Sequence, residues 1–136
     1  MTALMGGCLC KAIRYEAIAE PLISGACHCR DCQYVSGGAP ANVMVIPSAA
    51  LSVTSGTPHA YWSISDKGNR VARYFCADCG TPLFGQSTAH LEFIAIKVGS
   101  LDDPSWFRPG GNLWASSAQP WSHLDPGLPK WDKDPD

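Results

Sequence analysis

The sequence predicts an all-β domain of antiparallel sheets with very little helix. Three observations predict it. Short segments of period-two alternation run the length of the chain, each bounded by Gly, Pro, Ser, Asn or Asp. The 136 residues include 13 Gly and 11 Pro, which favours turns and short elements over long helices. Seven cysteines fall in three tight groups, "GGCLCK", "ACHCRDCQ" and "YFCADCG", the spacing of clips that pin β-structure through a metal.

Taken in order, "LCKAIRYEA" (residues 9–17) reads as a strand with Lys11, Ile13 and Tyr15 on one face and Cys10, Ala12 and Arg14 on the other. "PLISGACHC", "ANVMVIP", "LSVT", "HAYWSIS", "NRVARYFC", "PLFGQS", "LEFIAIKVG" and "NLWASS" read as further strands. Helix signals are confined to one turn in "CRDCQYVSG" and another beginning at Pro47 in "PSAAL". From Gln119 onward Pro and Asp accumulate, yet Trp121 and Trp131 are large aromatics that favour burial. The tail over 125–136 therefore reads as packing across the domain to about Trp131 and then fraying. No repeat or second domain interrupts residues 1–136, so the chain reads as one domain with its core over about 6–131.

Composition narrows the function classes. The formal net charge of −2 gives no bulk reason to expect nucleic-acid or anionic-membrane partners. The start "MTALMGGCLC" has no basic leader or signal-length apolar run, and no stretch approaches the ~20 apolar residues of a membrane helix. These features read as a cytoplasmic protein in a reducing compartment, where seven cysteines serve metal or catalysis rather than disulfides. An odd count also excludes complete pairing within one chain.

The cysteines separate by spacing. In "CADCG" the intervening residues turn both sulfurs toward one point, the usual knuckle of a zinc ribbon. In "CLC" the sulfurs lie on the same side of an extended strand. Cys8, Cys10, Cys76 and Cys79 together make one closed, structural tetrathiolate zinc site. A redox Cys-x-x-Cys would need a helix after Cys79, and "GTPLF" offers none.

Cys27, Cys29 and Cys32 make a second set of three, with His28 on the opposite side of the extended segment. Three protein ligands are the number typical of a zinc site with an open fourth place. Two alternatives stand beside this: His59, His90, His123 or Asp31 completes the set, or Cys32 forms a disulfide with Cys27 or Cys29. Three thiolates on Zn²⁺ leave a net negative centre, a poor activator of water. Such a centre suits capture of a small thiol as thiolate, followed by addition of sulfur to an electrophile.

The pieces "GGCLCKAIRY", "CHCRDCQYVSGG", "YFCADCGTPLF", "KVGSLDDP", "NLWASSAQPW" and "GLPKW" resemble, in this order, the glutathione-dependent formaldehyde-activating enzyme family, whose wider group includes centromere protein V. The resemblance spans Gly6 to about Trp131. It implies the Mss4-like fold, or β-tent, with one zinc on Cys8, Cys10, Cys76 and Cys79 and a second on Cys27, Cys29 and Cys32 at the active site. It also implies condensation of formaldehyde with glutathione to S-hydroxymethylglutathione, a carbon–sulfur lyase reaction in reverse. Departures occur at Ala39-Pro40-Ala41, at Ala77, where Pro is frequent, and at Asn112, where His is expected. None touches a thiolate.

Glutathione carries two carboxylates, and Arg30, inside the triplet loop, is the nearest cation in sequence to bind them. Arg73 and Lys97 lie in strands that leave their faces open, and Asp31 and His28 are the nearby acids. Gly37 and Gly38 permit close approach of backbone to ligand, or simply a turn. Trp62, Trp106, Trp114 and Trp121 read as packing residues. The sequence thus points to a two-zinc protein that binds glutathione or a related thiol and makes or breaks a carbon–sulfur bond. The alternative is a non-catalytic, zinc-stabilised thiol-binding or protein-interaction module.

Overall fold

The fold was derived from a computed structural model that describes residues 1–135; Asp136, the last residue of the expected tail, lies outside the described residues. Strands β1 (Thr2–Gly7), β2 (Arg14–Ala19) and β5 (Leu51–Ser55) form a three-stranded antiparallel sheet in the order β1-β2-β5. The other strands are β3 (Ile23–Cys27), β4 (Ala41–Pro47), β6 (His59–Ile64), β7 (Arg70–Phe75), β8 (Pro82–Ser87), β9 (Phe93–Lys97) and β10 (Asn112–Leu113). They form a seven-stranded sheet in the order β10-β3-β4-β9-β8-β7-β6, antiparallel except at β10–β3. Among the described residues the one α-helix, α1 (Arg30–Val35), is six residues long.

The strand expected over residues 9–17 is not continuous. Residues 2–7, passed over in the sequence, form β1, and Cys8 to Ile13 is the turn of a β1–β2 hairpin. The turn closes through Cys8 N–H to Ile13 O (3.1 Å) and Lys11 N–H to Cys8 O (3.0 Å), with Lys11 left-handed at φ 67°. Gly7 is required here, because a Cβ would fall 2.1 Å from the Ile13 carbonyl oxygen. A tight turn, not strand alternation, brings Cys8 and Cys10 to the same side.

The two faces of the large sheet have different neighbours. Met44, Ile46, Leu83, Phe84, Ile94 and Ile96 pack against Leu4, Tyr15, Ala17 and Ala19 of the small sheet to make the main core. Buried Tyr15 places its ring edge-on to Phe84 and shares a 2.7 Å hydrogen bond with Ser100. Along β4, residues 41, 43 and 45 alternate onto the opposite face, where Ala41 and Val43 join Cys27, Cys32 and Leu113 in a second, smaller cluster. Of the tryptophans read as packing residues, Trp121 is 71% exposed.

After β10 the chain doubles back. Asn112 N–H donates to Pro129 O and Trp131 N–H to Asn112 O, both at 2.9 Å, so the tail lies beside β10. Bonding continues past Trp131, where the sequence predicts packing to end. Trp114 Nε1 donates to Asp134 (2.8 Å), and Lys133 pairs with Asp66 in the β6–β7 turn (2.8 Å). Under this crossing His28, 2% exposed, holds Asn112 Oδ1 through Nε2 at 2.9 Å. Asn112→Ala leaves that ring nitrogen buried without its partner, and should cost about 1–3 kcal/mol of unfolding free energy, measured by urea denaturation.

Candidate metal centres and the cavities beside them

Two β-turns build the first centre. The β1–β2 turn presents Cys8 and Cys10; the β7–β8 turn presents Cys76 and Cys79. The second turn closes through Gly80 N–H to Cys76 O (2.8 Å) and Cys76 N–H to Thr81 O (3.1 Å), with Gly80 at φ 78°. All four sulfurs lie within 4.8 Å of one another. Cys8 and Cys10 are 3.6 Å apart, and Cys10 and Cys76 3.8 Å. Bonds of 2.3 Å to a tetrahedral metal would set sulfurs about 3.8 Å apart, so the donor set fits such an ion. Ile13 N–H points at the Cys8 sulfur (3.2 Å), and the Thr81 hydroxyl lies 3.2 Å from Cys79. The Thr81 contact, reinforced by backbone N–H groups, lowers the Cys79 thiol to about 5.

The second centre sits where β3 becomes α1. Cys27 ends the strand, Cys29 caps the helix by accepting the Cys32 N–H (3.3 Å), and Cys32 lies in the first turn. Their sulfurs again lie within 4.8 Å of one another. Among the described residues, no His nitrogen or carboxylate oxygen joins all three at that distance. His28 points to Asn112, Asp31 pairs with Arg73 at 3.6 Å, and His90 pairs with Glu92 at 3.5 Å. All seven cysteines are free, so no disulfide closes the triplet.

Electrostatics at the triplet express crowding. Hydrogen bonding to Cys29 and Cys32, with burial, pushes the Cys27 thiol far up. The same contacts, from Cys27 first and then Cys32, hold the Cys29 thiol well down, and Arg73 adds to the effect. Crowded sulfurs that cannot all ionise together are what a soft cation relieves, because binding displaces the remaining protons.

Gln33 fixes the loop. Buried, it donates to His28 O (2.7 Å) and Ser117 O (3.0 Å), and its Oε1 accepts from Arg30 (2.6 Å) and Gln119 (3.0 Å). Arg30 is thus tied to Gln33 and stacked 4.8 Å over the Tyr34 ring; it lines neither cavity described next. The cations that act on the triplet through their charge are Arg73, on Cys29, and Lys97, on Cys32, where it only partly offsets the upward push from Cys29 and burial. Both line a cavity of about 270 Å³ with Val35, Tyr61 and Tyr74. A second cavity, about 570 Å³, opens over the same face of the sheet. Four of its lining residues, Val43, Ala95, Leu113 and Trp114, also pack in the triplet's cluster. Sequence reasoning left Arg73 and Lys97 unassigned and passed over Val43 and Ala95. Alternation puts each on a face, but only strand pairing brings them together: Val43 stands opposite Lys97, and Gly85 opposite both Ala95 and Arg73.

The arrangement defines an all-β protein with two cysteine clusters, each able to chelate a metal. The model of the glutathione-dependent formaldehyde-activating enzyme family matches residues 3–117, and the chain belongs to that family. Relatives that carry the family's name include proteins of Penicillium rubens (31% identical over 109 residues) and Aspergillus oryzae (38% over 109), each alignment covering 75% of this chain. The chain spans 55% of the length of each. A Rhodobacter sphaeroides protein of known crystal structure shares the fold at a TM-score of 0.59 and 19% identity, over 78% of this chain and 92% of that one. No helix among the described residues is long and apolar enough to cross a membrane.

Metal analysis of the purified protein should give two ions per chain. Cys32→Ala should lower that to one with the circular-dichroism spectrum kept, whereas Cys76→Ala, which breaks the clip between the sheets, should unfold the domain.

Proposed function

We propose that this is a cytoplasmic zinc protein that binds glutathione or a close thiol relative at Cys27, Cys29 and Cys32 and promotes its addition to an aldehyde. The observation that carries the reading is the pairing of a four-sulfur cluster with a three-sulfur cluster that no other His, Cys, Asp or Glu among the described residues completes. Zinc on Cys8, Cys10, Cys76 and Cys79 is structural, holding the two turns together. Zinc on the triplet, when bound, supplies a soft Lewis acid that favours the ionised form of an incoming thiol.

The chain's own residues do the rest. The Cys32 amide orients the Cys29 sulfur. Gln33 holds the loop against His28 and Ser117, so the three sulfurs keep one geometry. Arg73, which also pairs with Asp31 and donates to Ser63, and Lys97 line the smaller cavity, which supports them rather than Arg30 as partners of the thiol's carboxylates. Val43, Ala41 and Leu113 exclude water from the inner side. Sulfur forms its bond to the carbonyl carbon, the carbonyl π bond becomes a C–O single bond, and the oxygen takes a proton from water.

Because glutathione and formaldehyde combine spontaneously, the test is kinetic. Exchange NMR of the adduct should show faster interconversion with zinc-loaded protein than without it, and an unchanged rate at full zinc occupancy would sink the catalytic reading. Replacing both Arg73 and Lys97 by Ala should weaken glutathione binding about tenfold or more by calorimetry, the scale of losing charge-assisted hydrogen bonds.

A further inference from the structure

Two unlike cavities lie near the triplet, and none of its three cysteines lines either of them. One is the smaller notch bearing Arg73 and Lys97. The other is the cavity of about 570 Å³, whose floor nearest the sulfurs is Val43, Ala95 and Leu113, continuing to Val45, Val71 and Ile23. Most of the polar residues of this larger cavity lie at its far end. There the β6–β7 turn (Ser65, Asp66, Asn69) and the end of β8 meet, while the tail residues Lys133 and Asp134 run from Asp66 back to Trp114 of the triplet's cluster. Gly85 and Ala95, paired across β8 and β9, keep the floor low between the two ends.

Formaldehyde is little larger than a water molecule, whose share of liquid is about 30 Å³. A cavity of this size matches a far larger ligand, within the roughly 300–1,000 Å³ of small-molecule sites. The peptide of glutathione does not suit its near end. Amides and carboxylates laid on Val43, Val45, Ala95 and Leu113 would lose water without gaining partners there. The charged thiol belongs in the notch, and something apolar belongs in the larger cavity.

From this division, and resting on the proposed thiol addition, we infer that the electrophile is an aldehyde with a sizeable apolar body, a chain or ring of about six carbons, rather than formaldehyde. Its carbonyl carbon meets the thiol sulfur at the triplet, and its hydrocarbon part lies along Val43, Ala95, Val45 and Val71. Carbon and sulfur join, the carbonyl oxygen gains the proton equivalent to the one the thiol has lost, and the product is a hemithioacetal. No oxidant or reductant enters. Val43, Val45, Val71 and Ala95 are the specificity-determining residues.

Stable thioethers test this without turnover. Calorimetry on the zinc-loaded full chain would compare glutathione, S-methylglutathione and S-hexylglutathione. The expected result is that the hexyl compound binds about tenfold or more tighter than the methyl one, since each buried methylene adds to affinity. The methyl NMR signals of Val43, Val45, Val71 and Leu113 should shift with the hexyl compound alone. Ala95→Leu, and separately Val71→Trp, should shrink the ratio of hexyl to methyl affinity at least about threefold. Two variants, checked by zinc content and circular dichroism, guard against misfolding of either. Glutathione binding with equal hexyl and methyl affinities would overturn the apolar-aldehyde assignment alone. Failure to bind glutathione or either thioether would overturn it together with the thiol-addition reading. Exchange NMR adds a further measure: hexanal exchange accelerated more than formaldehyde exchange supports the assignment, and the reverse order overturns it.

Discussion

Four sulfurs hold two turns together across a long interval of chain. Cys10 and Cys76, in contact at 3.8 Å, are 66 positions apart, and they belong to different sheets. Both turns are specified locally, one by Gly7 and the left-handed Lys11, the other by Gly80. What local chemistry cannot supply is the force joining them, because thiols crowded into one place resist ionising together. A metal bound by the four sulfurs would reverse that sign, turning repulsion among thiolates into a shared bond and contributing folding free energy. With the turns joined, the small sheet is held over one face of the large one, and Tyr15 can seal against Phe84 and Ser100.

That arrangement leaves the large sheet two-sided in purpose. Its inner face is filled with Met44, Ile46, Leu83, Phe84 and Ile96, all at most 2% exposed. The other face carries the triplet, Arg73, Lys97 and both cavities, bordered by α1, the β6–β7 turn and the returning tail. The triplet depends on several elements at once. Cys27 is fixed by strand pairing with Ala41, Cys29 by its role as helix cap, and His28 by Asn112 from the far end of the chain. A six-residue helix is too short to be stable alone, so the cap and Gln33 give it its place.

Much of this was legible in the residues, for identifiable reasons. Strands β4 and β8 match the segments "ANVMVIP" and "PLFGQS" end to end, because Gly, Ser and Pro punctuate them on both sides. The cysteine clips and the triplet followed from spacing, since ligands two or three residues apart are local geometry, and the union of the two clips followed from each holding half of a four-ligand set. The N-terminal strand escaped because "TALMGG" ends in two glycines and its alternation is short. Cys8 and Cys10 were read as extended because Lys11, a residue with a side chain, gives no warning of a left-handed turn. The cavities were beyond reach for a deeper reason. Which faces of β4, β7 and β9 meet the triplet depends on strand order, and strand order is a long-range property.

The seven-stranded sheet therefore acts as a partition. A substitution at Met44 or Ile96 is felt throughout the packed interior, while one at Gly85 or Ala95 acts on an open hollow and, for Ala95, the small cluster beside it. Descendants of such a chain are free to change what they admit without renegotiating how they fold. The small residues in the middle of the open face are then the positions where sequence drift first becomes new chemistry, and where divergence among relatives carries most information.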